Sequence, residues 1–153
     1  MNIIEQYYKS AVSEIDETLL GSFHSWYSYV LRLPKREQIV YTVEVLNQQV
    51  SNGGFHQYFA NQYGQFAYLT IENLRIIGAN DFAELVLSAT SILNDDNLDE
   101  ESFGAKVYRH ELDKIESYDK ELCDYLDSLD SKYYELDIEL LTEKLTEYLL
   151  SVN

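Results

Sequence analysis

Apolar and polar positions alternate along most of this chain with the period of an α-helix. In residues 3–20 the apolar side chains recur three or four positions apart, which predicts an amphipathic helix that Gly21 ends. The same spacing predicts helices over residues 23–31, 65–77 and 81–93. Another helix is predicted to begin at Pro34 and to end in residues 51–54, with a short helical turn over residues 55–61.

The second half of the chain has the same helical period on both sides of a polar loop. Residues 94–102 are Asn, Asp, Glu and Ser with a single Leu, a composition typical of a loop between helices. The apolar period resumes at Phe103 and runs to about Ser131. Residues 133–136 predict a turn, and a last helix is predicted to end at Leu150.

Few residues in the chain break helices. Its 153 residues include one proline and six glycines, which favours long helices over a β protein with many turns. Hydrophobic residues make up 46% of the chain, enough to build one buried core. No repeat of fixed period and no linker-like segment divides the sequence. We therefore predict an all-α fold, a single compact domain over residues 1–153 with about seven or eight helices.

The charge of the chain is strongly acidic and unevenly distributed. The chain has 11 Lys and Arg against 27 Asp and Glu, a net charge of −16, and residues 94–153 alone carry −12. Such a surface repels phosphates, so we expect no direct binding to nucleic acid or to an anionic membrane. It attracts cationic partners, above all a basic protein. The alternative is that the charge only keeps the protein soluble.

The acidic residues of the second half follow a helical spacing. Between Asp113 and Asp130 most of them recur three or four positions apart, which places them in rows along one side of a helix. Each step advances roughly 4.5–6 Å along a helix axis, a scale comparable with the ~3.4 Å between phosphates of one DNA strand. We predict that these rows and the acidic loop before them bind a partner. The residues of this predicted surface are Asp95, Asp96, Asp99, Glu100, Glu101, Asp113, Glu116, Asp119, Glu121, Asp124, Asp127 and Asp130.

The acidic loop does not match a calcium-binding motif. Asp95, Asn97 and Asp99 have the spacing of the first three ligands of an EF-hand. Glu100 stands where that loop needs glycine, and Lys106 stands where it needs a bidentate glutamate. We therefore predict no metal site.

The residues that most often carry out catalysis also lack a recognisable pattern. His24, His56 and His110 do not have metal-binding spacing, and Cys123 beside an apolar helix face is predicted to be a small buried thiol. No phosphate loop, nucleophile elbow or dinucleotide fingerprint is present. We predict a non-enzymatic protein without cofactors. The single cysteine and an N-terminus without a basic, apolar leader predict a cytoplasmic location.

One glycine-centred string between predicted helices is distinctive. It ends a helix, makes a tight turn and carries three aromatic residues that can anchor the turn in the core. Its amide side chains can hydrogen-bond the freed backbone groups. We predict a structural role for this string rather than a ligand site. The residues in that role are Asn52, Gly53, Gly54, Phe55, Gln57, Tyr58, Phe59 and Asn61.

The same string resembles a bacterial family of DNA-mimic proteins, whose helical domain shares the core NGGFxQYFxN. Here the core reads Asn-Gly-Gly-Phe-His-Gln-Tyr-Phe-Ala-Asn over residues 52–61, and the resemblance covers about residues 35–135. It implies an all-α fold. In the characterised branch it also implies a homodimer whose acidic surface imitates duplex DNA and occupies a basic DNA-binding protein, such as a transcriptional repressor.

Two other functions stay open on the sequence alone. The protein can be an interaction module that binds through aromatic and apolar surface, which an exposed tyrosine cluster would support. A pocket that brings one of the histidines against a buried carboxylate would instead indicate an enzyme. The tyrosines considered for the interaction module are Tyr7, Tyr8, Tyr27, Tyr29, Tyr63, Tyr133 and Tyr134.

Overall fold

The protein consists of helices and the turns between them. A computed structural model describes residues 1–151, and no strand occurs among these residues, so the all-α prediction is confirmed. Positions 152 and 153 of the predicted domain lie outside the described residues. None of the described helices is both long and apolar enough to cross a membrane. In chain order the elements are α1 (Ile3–Val12), α2 (Glu17–Leu20), α3 (Phe23–Arg32), α4 (Lys35–Ala60), a 3₁₀ turn (Tyr63–Phe66), α5 (Ala67–Ile76), α6 (Asn80–Leu93), α7 (Glu100–Tyr108), α8 (Asp113–Glu116), α9 (Lys120–Glu135) and α10 (Ile138–Ser151).

Two of the predicted helices are divided in the structure. The predicted 3–20 helix is α1 and α2, because Asp16 leaves the helical conformation and its carboxylate accepts a hydrogen bond from the Leu19 N–H at 2.8 Å. The predicted 103–131 helix is α7, α8 and α9, and Asp119 caps the start of α9 in the same way. A side chain that bonds the backbone starts a new helix where apolar spacing alone indicates a continuous one.

The end of α9 also differs from the prediction. Residues 133–136 predicted a turn, but α9 continues through Tyr133 to Glu135. Tyr133 is fully buried, and its ring meets Phe82 of α6 edge-on with 5.3 Å between ring centroids. This packing holds the last turn of α9 against the core, so tertiary contacts override the local turn signal.

α4 is the central helix and is buried on almost all sides. Every residue from Gln38 to Val43 is buried, and so are Val45 and Leu46. Helices α1, α5 and α9 pack around it. A helix buried all round shows no single apolar stripe. The apolar spacing in the sequence therefore predicts one buried face of α4, whereas the structure buries most of its first half.

A hydrogen-bonded polar network crosses the core between α4 and α5. The Asn73 amide donates to Thr42 Oγ1 at 3.0 Å, and Lys35 Nζ donates to Asn73 Oδ1 at 3.0 Å. The buried Gln38 amide donates to the Val30 carbonyl at 3.2 Å, which adds α3 to the network. Because buried polar groups are costly when unpaired, these bonds favour one register of α3, α4 and α5.

α4 changes direction at its glycine pair. Gly53 and Gly54 depart from helical geometry, and Gly54 has φ 75° and ψ −175°, a conformation essentially restricted to glycine. A Cβ on Gly54 would lie 2.2 Å from Oδ2 of Asp130, a residue of α9. The predicted helix end in residues 51–54 is therefore a kink, after which the chain resumes helical geometry at the next residue.

We predict that Gly54→Ala destabilises the protein more than an alanine substitution at a glycine that has a positive φ but open space around its Cβ position. The change puts an L residue in a glycine conformation and drives its Cβ into the Asp130 carboxylate. Gly78→Ala is the matched control, because Gly78 also has a positive φ (81°) but its Cβ would meet only Lys144 Nζ, at 3.7 Å.

We expect Gly78→Ala to lower the free energy of unfolding by about 1–2 kcal/mol, and Gly54→Ala to lower it by clearly more. Urea unfolding followed by far-UV circular dichroism measures both changes. Equal losses in the two variants would show that the close approach of Asp130 adds nothing to the requirement for glycine.

Candidate functional site

The predicted partner-binding acids lie in the loop before α7 and on α7, α8 and α9. We call these twelve residues, defined above, the acidic surface. Ten of them are exposed, whereas Asp119 and Asp130 are partly buried. The loop approaches α8, because Asp95 and Asp96 line the same cleft as Asp113. The fold therefore brings the acidic loop and the start of α8 together.

The acids between residues 113 and 130 do not form one continuous helical row. The chain takes a positive φ at His110 (58°) and at Tyr118 (53°), on either side of the single turn of α8. A residue in this left-handed conformation cannot continue a right-handed helix. Only within α9 do exposed acids keep a regular three-residue spacing, at positions 121, 124 and 127.

Two members of the acidic surface are helix N-caps. Asp99 Oδ1 accepts a hydrogen bond from the Ser102 N–H at 2.8 Å at the start of α7, and this bond lowers the pKa of Asp99. Asp119 Oδ2 accepts one from the Leu122 N–H at 3.0 Å at the start of α9. An N-cap satisfies a backbone donor that has no partner inside the helix. Both carboxylates therefore stabilise the start of a helix within the protein.

Asp130 connects α9 to the kink in α4. Its Oδ1 accepts a hydrogen bond from the Phe55 N–H at 2.8 Å, at the point where the kink leaves the first N–H groups of the following helical segment without helical partners. Burial raises the pKa of Asp130, against the opposing effects of the Phe55 N–H and of His56. Because its carboxylate faces the α4 backbone, we assign Asp130 to the fold rather than to partner binding.

Three further acids of this surface lie close to basic side chains. Lys106 Nζ is 3.2 Å from Asp96, Lys120 Nζ is 2.8 Å from Asp124, and His110 lies 3.9 Å from Glu116. Exposed pairs of this kind are weak and exchange readily with other partners. Within the acidic surface, the exposed acids that form no ion pair or cap with residues 1–151 are Asp95, Glu100, Glu101, Asp113, Glu121 and Asp127.

Amide side chains of the 52–61 string bond one another across the kink. Asn52 donates to Gln57 Oε1 at 3.0 Å, and Gln57 donates to Oε1 of Gln49, before the kink, at 3.0 Å. Asn61 donates to the same Gln49 oxygen at 3.0 Å. These bonds join the helical segments before and after Gly54.

The aromatic residues of the string face the core. Phe55 meets Tyr133 of α9 edge-on with 5.9 Å between ring centroids. The hydroxyl of Tyr58 lies 3.3 Å from Thr70 Oγ1 of α5, and all three aromatic residues of the string are at most 1% exposed. The string contacts α5 and α9 and presents no aromatic ring to solvent.

The tyrosines considered for an aromatic binding surface are mostly inside the protein. Of the seven, only Tyr134 is exposed, while Tyr27 and Tyr133 are buried and the others are partly buried. The exposed tyrosines that the sequence interpretation missed are Tyr118 (70% exposed) and Tyr125 (40% exposed). Both of these lie among the acids of α8 and α9. An aromatic binding surface and an acidic one are therefore not separate alternatives, because these two exposed tyrosines lie beside the exposed acids.

Ile92 is a further exposed apolar residue that the sequence analysis did not predict. It lies at the end of α6 and is 42% exposed. The buried positions of α6 include Phe82, Val86 and Leu93, and Ile92 is out of phase with them. An apolar residue outside the buried stripe is the one signal in the sequence that points to this position.

The three histidines make separate contacts. His56 Nε2 is within hydrogen-bond distance (3.0 Å) of the Ile115 carbonyl oxygen, and His110 is near Glu116 on α8. His24 lines a different cleft near α1. In the part of the chain that the structure describes, no group of three or more His, Cys, Asp or Glu residues is placed to hold a metal ion.

Cys123 is partly exposed, which corrects the predicted buried position. It lies on α9 beside the apolar face that Leu122 contributes to the core. Desolvation and the nearby carboxylates of Asp127, Asp119 and Asp124 raise the pKa of its thiol. A raised pKa disfavours the thiolate, so these surroundings do not activate Cys123 as a nucleophile.

Another cleft lies away from the acidic surface. It has a volume of about 620 Å³ and is lined by residues of α1–α3 and the start of α4. Its charged lining is mixed, with Glu14 and Glu37 beside His24 and Arg32. The region with the greatest excess of one charge is therefore the α7–α9 part of the chain, not this cleft.

The fold and this surface together define an acidic all-α protein whose unpaired carboxylates are concentrated in the loop before α7 and on α7–α9. The chain belongs to the DMP19-like protein family, whose model matches residues 31–152. This membership agrees with a DNA-mimic-like family. Helices α1 and α2 precede the matched residues. Comparison with curated proteins and with solved structures found no match.

We predict that Asp130→Ala and Asp130→Asn have different effects on stability. Alanine removes the acceptor of the Phe55 N–H and is expected to lower the free energy of unfolding by about 1–2 kcal/mol. Asparagine keeps an acceptor oxygen without a charge to desolvate, so it is expected to retain at least the wild-type stability at neutral pH.

The pH dependence follows from the raised pKa of Asp130. The folded state holds the proton more tightly than the unfolded state, so wild type loses stability relative to Asp130→Asn as pH rises from the unfolded pKa through the higher folded pKa. The difference is constant above that interval. Urea unfolding of both proteins between about pH 3.5 and pH 8 measures it. An Asp130→Asn variant as unstable as Asp130→Ala would show that the charge itself is required.

Proposed function

We propose that this protein is a non-enzymatic DNA mimic that occupies the DNA-binding surface of a basic protein, such as a transcription factor. The observation that carries the proposal is the group of six exposed, unpaired acids of the acidic surface. Membership of the DMP19-like family supports it. We propose further that it acts in the cytoplasm without a cofactor and binds neither nucleic acid nor membrane directly.

Electrostatics favour a basic DNA-binding surface as the partner. Carboxylates without an internal counterion leave the local field uncompensated, and a cationic surface compensates it with little rearrangement. Charge complementarity of this kind accelerates encounter and weakens as salt screens it. Because DNA-binding grooves are built to neutralise phosphates with Lys and Arg, they have the required charge.

The interaction module built on the seven predicted tyrosines is not favoured. Six of the seven side chains are buried or partly buried, and Tyr27 and Tyr41 belong to a buried aromatic cluster with Phe66. The exposed Tyr118 and Tyr125 lie among the acids. Any aromatic contribution to binding is therefore expected within the acidic surface.

We predict that duplex DNA displaces the captured partners. The immobilised protein is exposed to a bacterial lysate fraction that was eluted from duplex DNA-cellulose, and bound proteins are identified after elution. At about 50 mM salt we expect basic DNA-binding proteins to be retained, and we expect release by duplex DNA at constant ionic strength or by about 200 mM salt. Free nucleotides at the same phosphate concentration are the control and should release little. Retention that resists both duplex DNA and salt would contradict mimicry.

We predict that the position of the acids, not only their number, determines binding. One variant neutralises four acids of the acidic surface that form neither caps nor ion pairs within residues 1–151. The matched control neutralises four exposed acids elsewhere. Both variants change the net charge from −16 to −12. The first set is Asp95→Asn, Asp113→Asn, Glu121→Gln and Asp127→Asn, and the control set is Glu14→Gln, Glu17→Gln, Glu72→Gln and Asp81→Asn.

The first variant is expected to bind a captured DNA-binding protein about tenfold or more weakly at low salt, since each exposed charge pair contributes roughly 0.2–1 kcal/mol. The control variant is expected to lose much less, because its charges lie farther from the partner. Surface plasmon resonance at several salt concentrations measures both. Equal losses of affinity in the two variants would show that binding depends on the total charge and not on the position of the acids.

A further inference from the structure

Two adjoining clefts run through the acidic surface and share two lining residues. The first, of about 240 Å³, lies between the end of α6, the following loop and α8. The second, of about 210 Å³, lies between the end of α6 and the first turns of α9. Ile92 and Lys114 line both clefts. The clefts therefore form one groove, and Ile92 and Lys114 lie where the two clefts meet.

The floor of this groove is apolar, and two apolar side chains are exposed above it. Leu112 and Leu122 line the two clefts and are 5% and 3% exposed, so they belong to the core as well. Ile92 and Tyr125 are 42% and 40% exposed. Exposed apolar side chains grouped over an apolar floor can be covered only by something from outside the chain or by water.

The rim of the groove is acidic. Five carboxylates and two lysines line it, and one of the lysines, Lys106, is already paired with Asp96. Asp119 is used as the cap of α9. The acids of the rim without a cap or ion pair within residues 1–151 are Asp95, Asp113 and Glu121. An occupant that is cationic at its edges and apolar along its centre complements this groove.

The groove is made of two clefts, of about 240 and 210 Å³, that meet at Ile92 and Lys114. This divided form suits separate side chains of one partner segment. A helix that lays its apolar face into a groove inserts side chains three and four positions apart, and it presents the flanking positions to the rim.

We propose that this groove receives a basic amphipathic helix of the partner, with an apolar side chain of that helix packed on Ile92 and Tyr125 and its Lys or Arg side chains on the rim acids. The inference rests on the proposed function and deepens it. Carboxylates alone attract every DNA-binding protein, whereas the apolar centre distinguishes partners that carry a matching apolar residue beside their basic ones.

The test uses two synthetic helical peptides with the same number of lysines. One carries leucines along one helical face with the lysines at the positions that flank it, and the other carries serines in place of the leucines; each has roughly 18 residues, or about five helical turns. Binding to the full chain is measured by fluorescence anisotropy at about 200 mM salt, where screening weakens the purely ionic contribution. The leucine peptide is expected to bind about tenfold more tightly than the serine peptide.

Ile92→Ser tests whether that difference arises in the groove. The variant is expected to weaken binding of the leucine peptide about fivefold and to leave the serine peptide unchanged. Ile76→Ser is the matched control, because Ile76 is the same residue type with 43% exposure and lies at the end of α5, outside the groove. It is expected to change neither affinity. Far-UV circular dichroism and urea unfolding verify that both variants fold as the wild type does.

Equal affinities of the two peptides for the wild type would overturn the inference, and so would equal losses in Ile92→Ser and Ile76→Ser. Either result is compatible with the capture of DNA-binding proteins that duplex DNA displaces. The proposed function would then stand, and only the inference about the groove would fall. If that capture fails while the leucine peptide still depends on Ile92, mimicry is wrong and the groove is supported as a site for basic amphipathic segments.

Discussion

The hydrogen bond from the Phe55 N–H to the Asp130 carboxylate joins the central helix α4 to α9, the helix with the regularly spaced acids. It satisfies a backbone donor that the kink in α4 exposes, and only glycine at position 54 lets the carboxylate approach so closely. The same bond attaches α9 to the central helix. Since α9 carries the regularly spaced acids and forms one wall of the groove, the position of these acids depends on this contact. The string at residues 52–61 thus helps to place α9.

The acids of this protein are not equivalent, although they all contribute to the same net charge. Some cap helices, as Asp99 and Asp119 do, and some pair with lysines, as Asp96 does with Lys106. Asp130 has its charge turned inward, where burial raises its pKa. The carboxylates without a cap or an ion pair are a subset, and three of them, Asp95, Asp113 and Glu121, line the groove that contains Ile92 and Tyr125. A mimic with this arrangement combines long-range attraction, which salt screens, with a short-range contact that salt affects little.

Local pattern was sufficient to predict much of this fold. The helical period and the scarcity of glycine and proline determined the all-α class, and the periods of α3 and α6 predicted these helices to within a residue. The string around Gly54 predicted a helix end and a tight turn, whereas the structure has a kink there. The resemblance to DNA-mimic proteins agrees with the family whose model matches residues 31–152. Where local prediction failed, as for the helices over residues 3–20 and 103–131, a capping aspartate or a left-handed residue interrupted a continuous apolar period.

The sequence by itself determined the composition of the candidate site, namely an excess of acids after residue 94, because charge and spacing are properties of the chain. Only the tertiary structure decided which of those acids are exposed without a cap or an ion pair and which apolar residues lie near them. Apolar spacing shows that one face of a helix is buried, but it does not show which neighbour covers it. Consequently the burial of Tyr133, the inward turn of Asp130 and the exposure of Tyr125 could not be predicted. Each depends on how α4, α6 and α9 pack against one another.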